Sequence, residues 1–456
     1  MRTGTYGPTV QKSQNKRLAE GLDLRTTAGA QPGYKPEEKK VAECGGSSPA
    51  GLERQRPTPF PMSDDRALRR LLDVRRRPTT EDDEWRASWT ELFFDLVFVL
   101  VIAQLSALLV ADLTIGGAAK TLFLLLVAWW AWIYTTWTTN WFDPDSRPMR
   151  IALAIAMFAS LLGAISIPEA FEDRAALLVA GYVMIQLARN GFAVVACEPD
   201  DPLRPSLVRI FLWSLWLAPI WVAGAFVPHD ARIVVWLFAL LADYAGPLVG
   251  HWIPGLGRSD PRDWDLEPAH FTERLMLFLI IALGEVIVAT GITATNLPVT
   301  ASRLVALFVC FGIAVLLWWL YFDFHAEHTI RRFKATPTEQ GRLGRELSYL
   351  FIPLVAGIIV CAVANELVIA HPDDELGTAE LVALGAGPVI YLLGSVAFKI
   401  RVIGALWQPR AIAATVMVGA VALGSDLPAV AVWALILGIL IALAAVEARR
   451  TRDLGA

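Results

Sequence analysis

Seven ionisable side chains lie inside or at the ends of stretches otherwise apolar enough to cross a bilayer: Glu91, Asp95, Arg189, Asp243, Glu273, Arg274 and Glu285. Groups of this kind hold ions, carry protons or form buried charge networks. Glu91 and Asp95 are one helical turn apart, so they share a face. A carboxylate inside hydrocarbon costs about 2.5–3.5 kcal/mol on insertion scales. Two on one face turn that face toward protein or water rather than lipid. At 1.5 Å per helical residue, Asp95, Arg189 and Asp243 each sit roughly 9–12 Å from the cytoplasmic ends of their spans. Arg189 is read as the cation at that depth, and Asp95 or Asp243 as its partner. The alternative is a network that only locks helices together. Glu285 is different. It lies about 21 Å along its span, in Leu283-Gly284-Glu285-Val286, with no basic residue one turn away. An isolated acid at that depth suits a proton carrier. The bland reading is a neutral acid hydrogen-bonded to a neighbouring helix. Gly284 beside it permits close helix approach or a local break.

The elements that must position these groups are membrane helices. The chain of 456 residues is 55% hydrophobic and 18% charged, against about 25% charged in soluble domains. Twelve apolar segments are legible: 89–111, 119–140, 149–167, 174–197, 207–227, 231–249, 271–294, 301–323, 346–370, 379–399, 411–425 and 428–447. In a bilayer each must be helical to satisfy its own backbone. The fold class is therefore an all-α integral membrane protein of about twelve transmembrane helices. The segment 411–425 is the shortest and holds Gly419 and Gly424.

Basic residues alternate from loop to loop. One side would hold Arg147 and Arg150, Arg204 and Arg209, Arg258 and Arg262, the run from Arg331 to Arg345, Lys399, Arg401 and Arg410, and Arg449 to Arg452. The other would hold only Lys120, Arg174, Arg232 and Arg303. The positive-inside rule then puts both termini in the cytoplasm.

Residues 1–61 are polar and aperiodic and read as disordered. Met62 followed by Ser-Asp-Asp-Arg looks like an alternative start, so translation from Met1 and from Met62 both stay open. Arg66, Arg69, Arg70, Arg75, Arg76, Arg77 and Arg86 precede the first span. They read as a topogenic signal, or as a contact for anionic lipid. The domain reading is an Arg-rich segment 1–85, a first six-helix half 86–249, a linker loop 250–270 and a second half 271–456.

Two features suggest duplication. Phe271-Thr272-Glu273-Arg274 and its apolar run resemble Trp89-Thr90-Glu91-Leu92 and its run. Tyr321-Phe322-Asp323 answers Trp141-Phe142-Asp143 at similar spacing. Six spans per half is an even number, so the halves would share one orientation.

The stretch Trp89-Thr-Glu-Leu-Phe-Phe-Asp-Leu-Val-Phe-Val, with His270-Phe-Thr-Glu-Arg-Leu and Leu283-Gly284-Glu285, resembles the bacterial low temperature requirement A family from about Trp89 to the C-terminus. The resemblance implies a polytopic protein of the bacterial inner membrane, linked to growth in the cold and a stress response. It implies no reaction and no substrate.

Three functions compete. An ion- or proton-coupled transporter fits twelve spans, two same-handed halves and an isolated acid. An ion channel is a second reading, since Phe93-Phe94-Asp95 resembles the Phe-Ser-Asp motif of two-repeat potassium channels, although Phe94 replaces the serine. A membrane-embedded enzyme acting on lipid is a third, but no acid–base set, G-x-S-x-G or P-loop can be assembled. The expectation is therefore not an enzyme, with no cofactor, no metal and no nucleic-acid partner. Membrane lipids and a proton or small ion are the expected partners. His251, Asp263, Asp265, His270 and Glu273 near one loop, and His325, Glu327 and His328 near another, are read as solvated rather than as metal ligands. The Trp129–Trp132 run, with Tyr134, Trp137 and Trp141, reads as packing, with stacking on a ligand cation as the alternative.

Overall fold

Some of the long helices start where a polar side chain satisfies a free amide. α1 (Trp89–Ala111) opens on a capping box. Ser88 Oγ accepts from the Glu91 amide at 3.2 Å, and Glu91 Oε2 accepts from the Ser88 amide at 2.9 Å. α7 (Pro268–Thr295) is capped by Glu267, whose carboxylate accepts from the His270 amide at 2.6 Å. The computed structural model describes residues 86–264, 266–322, 325–404 and 408–455. The N-terminal arginines before Arg86, Met62, Asp265, Asp323 and the side chains of His325, Glu327 and His328 lie outside the described residues.

The remaining helices are α2 (Ile115–Trp141), α3 (Arg147–Ser166), α4 (Ala175–Ala196), α5 (Arg204–Phe226), α6 (His229–Ala245), α8 (Ala301–Phe322), α9 (His325–Ala335), α10 (Gln340–Leu350), α11 (Ile352–Ala370), α12 (Thr378–Ile403), α13 (Gln408–Leu423) and α14 (Ala429–Gly455). No strand occurs among the described residues. Ten spans are long and apolar enough to cross a membrane, α10 and α11 forming one continuous span of 31 residues. Two of the twelve expected spans fall short. α6 has 17 residues and α13 has 16, or about 24–26 Å of helix against a hydrocarbon core of about 30 Å.

Both short helices nevertheless run between the same two layers of loops. One layer joins Thr90 to Asp145, Arg209 to the Leu256 carbonyl and Arg345 to the Pro247 carbonyl. The other joins His229 and Arg232 to the Phe171 carbonyl, Ser302 to Asp373, and the Ala429 amide to the Asp374 carbonyl. α6 starts in the second layer and ends in the first. α13 leads away from Arg410, which donates to the Leu320 carbonyl at the end of α8, and reaches the loop where Pro428 bridges Glu375.

Packing neighbours repeat along the chain. α3 packs on α1 and α4, α4 on α5, and α5 on α6. α11 packs on α7 and α12, α12 on α13, and α13 on α14. Glycine brings two of these pairs into backbone contact. A Cβ on Gly181 would lie 2.5 Å from the Ala159 carbonyl oxygen of α3. A Cβ on Gly357 would lie 2.6 Å from the Tyr391 amide of α12 and 2.8 Å from the Gly387 carbonyl oxygen. Gly284 behaves otherwise: nothing lies within 4 Å of its Cβ position, so it makes no close helix approach. The two sets of helices meet through α1, which touches both α7 and α11.

Backbone hydrogen bonds hold the described part of the segment between α6 and α7, from the His251 amide to the Gly246 carbonyl and from the Ser259 amide to the Gly250 carbonyl, both at 2.7 Å. Gly250, Gly255, Gly257 and His251 all take positive φ there, His251 at 47°. His251 is buried, with its Nε2 3.0 Å from the Tyr134 hydroxyl and with Trp213 and Trp264 against its ring. Burial pushes its pKa down to about 3. It is neutral in the folded protein where the unfolded chain would titrate near pH 6.5. The unfolded state therefore binds more protons below that value, and stability falls as pH drops from about 6.5 toward 3. Asparagine tolerates positive φ and does not titrate. His251→Asn should flatten the acid side of a thermal-melt profile taken in detergent. An unchanged acid slope would exclude His251 as its source.

Candidate functional site

The centre of the molecule is a charge cluster shared by α1, α2 and α7. Arg274 donates from Nη1 to Asp95 Oδ2 at 2.6 Å and from Nη2 to Asp95 Oδ1 at 2.8 Å, a bidentate pair. Its Nε lies 3.7 Å from Glu91 Oε1. His270 Nε2 lies 3.0 Å from the same Glu91 oxygen. Trp132 Nε1 donates to Asp95 Oδ1 at 2.8 Å, and its ring lies 5.5 Å from the Arg274 guanidinium carbon. Glu91, Asp95, His270 and Arg274 are all 0% exposed.

Helix register explains the convergence. Asp95 is six residues into α1 and Arg274 six into α7, so each stands about 9 Å along its helix. One turn nearer the ends, Glu91 faces His270. Asn140, near the end of α2, fixes the histidine. Its amide oxygen accepts from the Glu267 amide at 2.9 Å, and its Nδ2 lies 3.0 Å from His270 Nδ1. With the Asn140 amide donating to Nδ1, His270 keeps the Nε2 proton for Glu91. The cluster brings together two carboxylates, one guanidinium and one imidazole.

The expected pairing of Arg189 with Asp95 is therefore corrected. Arg274 is a second cation at that depth, and it occupies both Asp95 oxygens. Asp243 is not an ion-pair partner of Arg189 either. Arg189 donates from Nε to Asn190 Oδ1 at 3.1 Å, from Nη1 to the Ala131 carbonyl at 3.0 Å, and from Nη2 to Gln186. Asp243 Oδ2 accepts from the Tyr182 hydroxyl at 2.8 Å and from Trp221 Nε1 at 3.0 Å. Gln186 Nε2 donates to the Tyr182 oxygen at 3.0 Å, so a chain of neutral groups joins arginine to aspartate.

Glu273 stands apart from the cluster, accepting from the Ala87 amide at 2.8 Å ahead of α1. Glu285 has no hydrogen-bond or ion-pair partner among the described residues, and is 5% exposed. Its electrostatic neighbour is the carboxyl of Glu366 on α11. Arg274 and Glu285 are 11 residues apart, which returns them to nearly one face of α7. Between them stands Phe278, packed 4.4 Å from the Trp132 ring, 5.3 Å from Trp129 and 6.0 Å from Phe98. Just beyond Glu285, Asn365 Nδ2 donates to Thr290 Oγ1 at 3.0 Å, and Trp433 Nε1 donates to Asn365 Oδ1 at 2.9 Å. The tryptophan run of α2 faces inward: Trp130 stacks on Tyr244 at 4.0 Å, and Trp129 on Phe351 at 5.8 Å.

One polar group escaped the sequence. Glu447 on α14 accepts from Arg410 Nε at 2.7 Å and from Lys399 Nζ at 3.4 Å, all three buried. Arg410 and Lys399 look like loop cations in sequence. The available signal was Glu447 itself, an acid ending an apolar run that carries none after Asp426.

The family model described as bacterial low temperature requirement A protein (LtrA) matches residues 86–445. An uncharacterized protein of Rhizobium meliloti (strain 1021), RA0937, is 36% identical over 321 residues, which is 70% of this chain and 78% of that relative. No solved structure matches. The match takes in α1, α2 and α7 with the whole of the central cluster, and the chain belongs to the bacterial low temperature requirement A family.

Proposed function

We propose that this chain is a proton-linked secondary transporter of the bacterial inner membrane, with twelve crossings, both termini cytoplasmic and two six-helix halves of one orientation. The observation that carries the reading is Glu285, a buried acid far along α7 with no hydrogen-bond or ion-pair partner among the described residues and with the Glu366 carboxyl as its electrostatic neighbour. An acid kept this way can gain and lose a proton without breaking an ion pair.

The architecture supports the reading. α6 and α13 join the same two loop layers as the longer helices, which favours twelve crossings. The neighbour order α1–α3–α4–α5–α6 matches α7–α11–α12–α13–α14. α3/α4 and α11/α12 are each closed by glycine contact. α5 and α13 both have proline at their second position, in Arg204-Pro205 and Gln408-Pro409. These are the marks of duplication about an axis along the membrane normal. The cluster on α1 and α7 then sits where the halves meet, and Phe278 closes the path from it to Glu285. Transport rather than catalysis is proposed, in a protein that supports growth in the cold.

The test is reconstitution into vesicles with an imposed pH gradient. Proton flux should appear with the wild type when a panel of small solutes is supplied. Glu285→Gln, a near isostere, should fold and melt like the wild type but lose flux at least 10-fold, on the order of the loss expected when a proton-transfer group is removed. Full flux in Glu285→Gln would overturn the proton-carrier role.

A further inference from the structure

Asp243 is buried to 4% exposure at the junction of α4, α5 and α6, and its two oxygens are treated unequally. Oδ2 takes both hydrogen bonds, from Tyr182 and Trp221. Oδ1 takes none. Asp243 also lines a cavity of about 10 Å³ together with Tyr182, Gln186, Ser214, Leu217 and Trp221. A cavity needs about 10–15 Å³ and two to four polar partners to hold one water. This one is of that size, and Ser214, Gln186 and the Tyr182 hydroxyl supply polar walls. A second cavity of about 40 Å³ between α1, α2, α3 and α4 shares Tyr182 as a wall.

We propose that Asp243 is a proton-binding site of the first half, exchanging an excess proton on Oδ1 through a single water held in this cavity. An excess proton carried on the cavity water as hydronium passes to Oδ1, leaving a neutral carboxylic acid and one water molecule, and returns by the same atoms. Tyr182 and Trp221 donate to Oδ2 in both states, so the exchange breaks no protein hydrogen bond. The groups facing Asp243 are few. Tyr182 and Arg189 come from α4, Trp221 from α5, Tyr134 from α2, and Tyr244 from its own helix. Arg189 acts through Gln186 and Tyr182 rather than by contact, and its own donors are taken by neutral acceptors. Loading and unloading Asp243 therefore alternates the charge of the first half's interior by one unit while Arg189 stays fixed. This deepens the transport reading by giving the first half its own proton site. The test reads protonation alone and so does not depend on transport.

The experiment is infrared spectroscopy of the full chain in lipid vesicles, titrated across neutral pH. A protonated-carboxyl C=O stretch should titrate in the wild type and vanish in Asp243→Asn. Glu285→Gln should leave that band in place. Tyr182→Phe keeps the acid but removes one donor to Oδ2, so the band should move to higher frequency. If Asp243→Asn does not insert, Tyr182→Phe decides alone. A carboxyl spectrum unchanged by Asp243→Asn, or a band unmoved by Tyr182→Phe, overturns the proposal.

Discussion

Replacing Arg274 by glutamine should remove most of the folded protein from the membrane. The guanidinium is the shared counter-ion of Asp95 and Glu91, and all three side chains are fully buried. Breaking a buried pair by removing one partner costs about 3–5 kcal/mol, because the other charge is stranded. Here two carboxylates would be left with only His270 and the Trp132 indole. Asp95→Asn should cost less, since Glu91 still balances Arg274. The double change Asp95→Asn with Arg274→Gln should recover part of the loss. The measurement is the yield of monodisperse protein by size-exclusion chromatography in detergent, with a thermal melt on what survives. A double variant as damaged as the sum of the two singles would show that the pair is not coupled. By contrast, Arg189→Gln combined with Asp95→Asn should show no recovery, since those side chains do not meet.

The second large effect is steric. Gly357→Ala should destabilise the protein by about 1–3 kcal/mol, the usual cost of forcing a methyl into a packed interior. The obstruction is main chain on α12, namely the Tyr391 amide and the Gly387 carbonyl, so no side chain can turn aside. Gly284→Ala is the matched control. It sits in helix α7 with nothing within 4 Å, and should be neutral or stabilise by about 0.5–1 kcal/mol through helix propensity. Melting temperatures of the two variants in one detergent separate the outcomes. Equal melting of both would mean that α11 and α12 are not in backbone contact.

The contrast between these glycines marks what a sequence can carry. Both lie in apolar runs, and only the neighbouring helix distinguishes them. The long spans were legible because a bilayer demands unbroken apolar helices, and ten of them stand within a few residues of their expected ends. α6 and α13 were legible as segments but fall short of a full crossing in length. The ion pairs were not legible. Arg274 follows Glu273 directly in sequence, yet Arg274 turns inward to Asp95 while Glu273 binds the backbone ahead of α1. Depth along a helix was a sound guide, since Asp95 and Arg274 do share it. Depth without azimuth could not choose between Arg189 and Arg274. Glu447 was hidden for the opposite reason, because its partners Arg410 and Lys399 read as loop charges until α12, α13 and α14 were brought together.

The partners in the central pair lie 179 residues apart in the chain. A ribosome adding about 5–20 residues per second takes on the order of ten seconds or more to cover that distance. During that interval α1 has left the ribosome with Glu91 and Asp95, and α7 has not. Through that interval Glu91 and Asp95 lack the His270 and Arg274 partners that the folded protein gives them, and an unpaired carboxylate in hydrocarbon costs about 2.5–3.5 kcal/mol on insertion scales. The newborn chain is most exposed to proteolysis and misinsertion in that window, and cold lengthens the window by slowing synthesis.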